Sequence, residues 1–179
     1  HKMKLGFSVQ IKVSEILQLL NNFKITYFDN GIIPAIKSDF QLNLFNTFRS
    51  YINHSKFFPI NYKVNTDERG SFVELLKSNI HGQFSFSSTN PGFVRGNHFH
   101  TRKIERFSVI SGKALIQMRR IDSDEIISFE IDGSKPSFVD MPIWYTHNIK
   151  NIGNTELITN FWINEFFNPN DMDTYFYKV

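Results

Sequence analysis

Gly92-Phe-Val-Arg-Gly-Asn-His98-Phe-His100-Thr-Arg-Lys-Ile-Glu105-Arg-Phe-Ser-Val-Ile-Ser-Gly112 is the most informative stretch of the chain. In a strand, successive side chains point to opposite faces, so His98 and His100, two apart, share one face. Glu105 opens the next strand and can return to that face. Two imidazoles and one carboxylate suit zinc, iron, manganese, nickel or copper. A fourth ligand has to come from elsewhere. His147, in Pro142-Ile-Trp-Tyr-Thr-His147-Asn-Ile-Lys-Asn151, is the best candidate. The other histidines are His1, at the start of the chain, and His54 and His81, in loops without a supporting pattern. A single histidine on a strand is ordinarily a polar wall residue. Three of them with a glutamate at this spacing read as a metal site. Not all four need bind at once, and one could be left free for chemistry.

The surrounding sequence reads as short strands. Candidates are 60–65, 71–77, 83–88, 105–111, 113–120, 125–131, 136–140, 145–150 and 156–164, punctuated by Gly70, Gly82, Gly92, Gly112, Gly133 and Gly153. Strands of this length and spacing make a sandwich or a barrel. Before residue 52 the pattern is helical instead. Ser14 can cap a helix through Leu20, Asp29-Asn30-Gly31 is a turn signal, and Ser38 or Asp39 can cap a second helix in which Phe40, Leu44, Phe48 and Tyr51 fall at helical spacing. Two short helices bury little by themselves, so this segment is expected to pack on something else. The predicted organisation is an expression remnant at 1–3, a helical segment at 4–52 and a metal-binding, mainly β domain at 53–179.

The composition narrows the chemistry. A chain of 179 residues suits one domain plus an attachment. It has no cysteine, which removes disulfides, thiolate metal sites and cysteine nucleophiles together. The 20 phenylalanines suit a β-rich fold with aromatic-lined interior faces. Lys and Arg number 20 against 17 Asp and Glu, but they are scattered, so no nucleic-acid partner is expected. The mild positive balance suits a small anionic substrate such as a sugar nucleotide. No apolar run approaches the length of a membrane span and no signal peptide is visible, so no membrane partner and a cytoplasmic location are expected.

Gly92 to Gly112 resembles the first cupin motif, G-x5-H-x-H-x4-E-x6-G, at every fixed position. Pro142 to Asn151 resembles the second, P-x-G-x2-H-x3-N, with Trp144 in place of the glycine. Pro136 replaces the glycine that normally opens that motif. The resemblance implies a double-stranded β-helix, the jelly-roll barrel of the cupins, with altered loop geometry at the two departures. Asp67-Glu-Arg-Gly-Ser-Phe72-Val-Glu74 is similar to the D-x-R-G-x-F-x-E stretch of the rhamnose-pathway nucleotide-sugar 3,5-epimerases, and Arg95-Gly96-Asn-His98 to their R-G-x-H segment. This second resemblance implies that His98 is a base removing the proton beside a keto group and that Arg69 and Arg95 hold substrate. The family's proton-delivering tyrosine aligns with Phe161. Those epimerases use no metal, so the chain looks like their pocket joined to a metallo-cupin.

The whole chain, through Asn90 to Glu105 and Asp140 to His147, resembles the C-terminal part of the bifunctional capsular polysaccharide synthesis enzymes. These carry an N-terminal NADPH-dependent reductase and a C-terminal cupin that acts as a metal-dependent epimerase. The resemblance implies C3 epimerisation of a UDP-4-keto-6-deoxy-N-acetyl sugar on the way to UDP-N-acetyl-L-fucosamine, with zinc as the metal and a homodimer as the assembly. NADPH would belong only to the reductase half, and residues up to Tyr51 contain no glycine-rich dinucleotide loop.

Several roles stay open at this level. His100, Glu105 and His147 hold the metal, with His98 either a fourth, exchangeable ligand or the base. Arg69 and Arg95 either clamp a diphosphate or order a loop through a salt bridge. Lys103 binds substrate phosphate or is a solvated loop lysine. Tyr145, two residues before His147, donates a proton or fills the barrel. The competing function is a metallo-cupin that is not an epimerase, either a dioxygenase or a sugar-binding module.

Overall fold

The computed structural model describes residues 9–179, so the expected remnant at 1–3 lies outside the described residues. The chain forms two compact units. One runs through Asn61 and includes Ser78–Ile80; the other comprises Tyr62–Lys77 and His81–Val179. The boundary expected after residue 52 falls inside the first unit, which continues through a short third helix.

In the first unit, α1 spans Val13–Phe23 and runs on into a wider turn over Lys24–Asp29. It starts at Val13, one residue before Ser14, and the N-cap is Lys12, with no side-chain cap, so Ser14 is inside the helix rather than at its end. The two-residue strand β1, Ile32–Ile33, leads to α2, Asp39–Ser50, where Ser38 caps the helix by accepting from the Gln41 N–H. The buried rings of Phe23 and Phe45 pack 5.0 Å apart between the helices. The short α3, His54–Phe57, follows.

The second unit is mainly β. Its strands are β2 (Val64–Asp67), β3 (Gly70–Ser78), β4 (Gly82–Thr89), β5 (Val94–Phe99), β6 (Glu105–Ser111), β7 (Lys113–Arg120), β8 (Ile126–Asp132), β9 (Ser137–Met141), β10 (Tyr145–Asn151), β11 (Leu157–Ile163) and β12 (Tyr175–Phe176). One sheet runs β3-β4-β11-β6-β9, with β2 paired to β3; the other runs β12-β5-β10-β7-β8. Chain neighbours β4 and β5 lie in different sheets, as do β5 and β6, β9 and β10, and β10 and β11. This alternation makes the jelly-roll arrangement of the cupin fold. Alternating inward residues fill its interior: Phe107, Val109, Ala114, Ile116, Met141, Ile149 and Leu157 form one buried cluster.

Two local features bring the histidine-bearing strands together. β5 and β10 are antiparallel, with His98 opposite His147, and the register shifts between His147 and Asn148. Gly96 lies at that shift with φ 96°. A Cβ there would sit 2.7 Å from the His147 carbonyl oxygen, so no other residue allows the strands so close. The second is Trp144, where the cupin pattern has glycine. It adopts φ 65°, the left-handed conformation for which glycine is favoured. The turn therefore keeps its left-handed geometry despite the substitution. Its N–H donates to His100 O at 2.8 Å, and its ring stacks on Phe99.

Candidate metal centre

His98 (β5), His100 (just beyond β5), Glu105 (first residue of β6) and His147 (β10) converge. One ligand atom from each lies within 4.8 Å of the others. The Glu105 carboxylate is the hub. Its Oε2 is 3.0 Å from His147 Nε2, 3.1 Å from His100 Nε2 and 3.9 Å from His98 Nε2.

The outer ring nitrogens fix which nitrogen faces the centre. His147 Nδ1 donates to Tyr145 O at 3.1 Å, and His100 Nδ1 donates to Asp173 O. Both rings therefore present Nε2 inward, the second-sphere arrangement that metal-binding histidines require. His100 Nε2 is buried and, though near Glu105, makes no well-formed hydrogen bond. A buried nitrogen without a partner, beside a carboxylate and two more imidazoles, fits a divalent cation, and the cysteine-free donor set suits zinc. His98 differs from the other two, because its ring is tethered by no backbone carbonyl among the described residues.

The electrostatics agree. Burial would raise the Glu105 pKa, but the three imidazoles around it outweigh burial and hold the carboxyl well below its usual range. Burial lowers the His98 pKa, only partly offset by Glu105. Burial pulls His100 down as well, but Glu105 and the Asp173 carbonyl overcome it and the net shift is upward.

The cluster opens into a cavity of about 450 Å3 between the two sheets. His98, His100 and Glu105 contribute to its wall, as do Arg69, Arg95, Lys103, Phe72 and Phe161. Arg95 donates to Thr89 Oγ1 at 3.0 Å and to the Ser88 carbonyl at 3.0 Å, and among the described residues it pairs with no carboxylate. Burial, then the charge of Arg69, lowers its pKa. Arg69 does form a salt bridge, with Nη2 2.5 Å from Asp67 Oδ2, and its hydrogen bonds hold the Asp67 carboxyl at about 2.

Two expectations change. Lys103 is not solvated: it is buried, its ammonium donates to Met172 O, and it lies 5.9 Å from the Phe167 ring. Its stem packs inward because Asp173 pins the backbone of its loop. Tyr145 is absent from the cavity wall. It opens β10 beside the Trp144 turn, before the pairing with β5 begins at His147, and contributes its carbonyl oxygen rather than its phenol. The structure adds residues the sequence did not single out. Glu74, Gln83 and Ser85 join on β3 and β4, with Gln83 Nε2 3.2 Å from Glu74 and 3.1 Å from Ser85, while Gln83 Oε1 is buried without a partner. Alternation along β4 turns Gln83 and Ser85 to one face, but nothing in the sequence marks that face as the cavity.

Comparison with known proteins settles the family. Residues 65–175 match the model of the polysaccharide biosynthesis C-terminal domain. The chain belongs to that family. This polysaccharide biosynthesis C-terminal domain superimposes on the capsular polysaccharide assembling protein CapF of Staphylococcus aureus with a TM-score of 0.83 at 42% identity, covering 93% of this chain and 45% of CapF. A CapF structure with the inhibitor 3-isopropenyl-tropolone gives 0.80 at 41% identity, covering 93% and 48%. A Pseudomonas aeruginosa protein, UDP-2-acetamido-2,6-beta-L-arabino-hexul-4-ose reductase, is 32% identical over 166 residues, 93% of this chain and 44% of the reductase. The chain thus spans less than half the length of these relatives. It is a CapF-like polysaccharide biosynthesis domain related to nucleotide-sugar-modifying enzymes. No described helix is long and apolar enough to cross a membrane.

Proposed function

We propose that this domain is a metal-dependent epimerase that inverts C3 of a UDP-4-keto-6-deoxy-N-acetyl sugar, the C-terminal half of a bifunctional, cytoplasmic enzyme of capsule precursor synthesis. One observation carries the reading: His98, His100 and Glu105 of the cluster line one cavity with Arg95, whose guanidinium meets no carboxylate among the described residues. A generic metallo-cupin has no need of a half-buried cation there, whereas a nucleotide diphosphate does. That favours the epimerase over a dioxygenase or sugar-binding module.

The ketone at C4 acidifies the C3 proton. A divalent cation held by His100, Glu105 and His147 would supply Lewis-acid stabilisation of charge developing on the C4 oxygen. His98, close to the centre yet the least tethered of the three imidazoles, is placed to take the C3 proton. Its depressed pKa keeps it in the neutral, basic form at physiological pH. Phe161 stands where related epimerases have a tyrosine, so the proton returning to the opposite face comes from another group or from water. Arg95 and Arg69 hold the diphosphate, and the polar wall of Glu74, Gln83 and Ser85 offers hydrogen bonds to sugar or base.

The reductase relative is named for a keto-hexulose UDP sugar, and the inhibitor named with CapF is a tropolone, whose adjacent oxygens chelate divalent cations. Both are in keeping with this reading. The test is to incubate the zinc-loaded domain with the UDP-4-keto sugar and follow C3 by NMR. Inversion supports the proposal; an unchanged sugar at every enzyme concentration removes it.

A further inference from the structure

The C-terminal segment is fastened almost wholly to the elements that carry the four ligands. Asp173 does most of this. It is buried, with a left-handed φ of 42°. Its carboxylate accepts from Thr101 N at 3.0 Å, Thr101 Oγ1 at 2.5 Å, Arg102 N at 3.0 Å and Lys103 N at 3.0 Å. Those residues form the loop between His100 and Glu105. The Asp173 carbonyl accepts from His100 Nδ1. One residue thus sets both the ring of His100 and the path of the chain to the hub carboxylate.

Beyond Asp173 the chain continues along the same elements. Tyr175 and Phe176 pair with Phe99 and His98. Tyr177 N donates to Asn97 O at 2.9 Å, and the Tyr177 carbonyl accepts from Thr146 Oγ1, beside His147. Little apolar burial holds this segment, since Tyr175 is 49% and Phe176 82% exposed. Segments held by hydrogen bonds over exposed side chains open most readily. Docking of this segment orients His100, and a cation on His100 must by reciprocity favour docking.

We propose that Asp173 is a positioning residue for His100 and that Asp171–Val179 is a strap coupled to metal binding. The inference rests on the four side chains being a metal centre. The strap is not needed to fill the core, whose buried cluster contains none of its residues. Its contribution is to hold one ligand and the loop that follows it.

Zinc affinity measured by competition with a chromophoric chelator tests this. Asp173→Ala keeps the carbonyl behind His100 but removes the carboxylate that pins residues 101–103 and strains a left-handed position; the loosened support should weaken zinc binding about 10–100-fold. Asp173→Asn, which tolerates the left-handed backbone and keeps one of the two acceptor oxygens, should recover part of it. Wild-type affinity in a folded Asp173→Ala chain overturns the proposal. Should that variant not fold, chymotrypsin digestion of the unmodified chain decides: zinc should slow cleavage at Phe176, and equal rates with and without zinc overturn the coupling. If the unmodified chain binds no zinc at all, the metal centre itself falls, and the strap with it.

Discussion

Replacing His98 with alanine separates holding a metal from moving a proton. His98 Nε2 lies 3.9 Å from the hub oxygen, against 3.1 Å for His100 and 3.0 Å for His147. Its outer nitrogen is also free of the backbone tethers that lock the other two. Losing it should leave three anchored ligands and a zinc content close to the unmodified protein's. Proton abstraction should suffer far more. Removing a general base typically slows the step about 10²–10⁴-fold, and at about 1.4 kcal/mol per decade this is roughly 3–5 kcal/mol on the barrier. The assay is solvent deuterium incorporation at C3 of the keto sugar, with zinc content measured on the same samples. Exchange at the unmodified rate would refute the assignment of the base. Complete loss of zinc would refute the division of labour equally, since His98 would then be a required ligand.

Other consequences follow from the same geometry. Gly96→Ala drives a Cβ to 2.7 Å from His147 O and 2.9 Å from Asn148 Cα. β5 must move off β10, costing roughly 1–3 kcal/mol of strain, so Tm should fall and zinc content with it; an unchanged Tm would show that the strands are not tightly pressed. In the metal-free chain, the Glu105 pKa is held below its unfolded value. The unfolded state therefore takes up the proton first on acidification, and the stability Glu105 contributes, present above the unfolded carboxylate pKa of about 4.3, is lost as pH falls below it. Thermal unfolding at several pH values should show this, with Glu105→Gln flatter in that window. The exposed β2 at the margin of its sheet offers an edge for pairing, and a homodimer is expected by light scattering at micromolar concentration; a monomer throughout would remove it.

The convergence of the four side chains is legible in the sequence because the ligand chemistry of a candidate metal site restricts residue type and strand geometry restricts spacing. A histidine pair two apart, with a glutamate opening the next strand, has few readings. Yet β5, which carries the motif, was missing from the candidate strands. Its Arg95-Gly96-Asn97 core lacks the alternation that marks a strand, since Arg95 faces a cavity and Asn97 accepts from Asn148 and the Val179 N–H. Gly96 and Asn97, both at positive φ, look like a turn. β12 is two residues long and exists only through its pairing with β5. Asp173 lies in a polar stretch 73 residues from His100, and no local pattern announces a contact made by a backbone carbonyl. Lys103 and Tyr145 show the converse limit. Position along the chain placed them near the ligands, but a pinned loop buried the first and the start of strand pairing left the second off the wall.

Proton exchange at C3 of the keto sugar should require metal on this cluster. The most direct measurement compares deuterium incorporation by the same protein preparation as zinc-loaded, chelator-stripped and zinc-restored samples, with circular dichroism confirming that the stripped chain stays folded. Exchange should be present with zinc, absent without it and regained on restoration, in proportion to zinc bound. Exchange by the stripped, folded protein at the loaded rate would contradict the account.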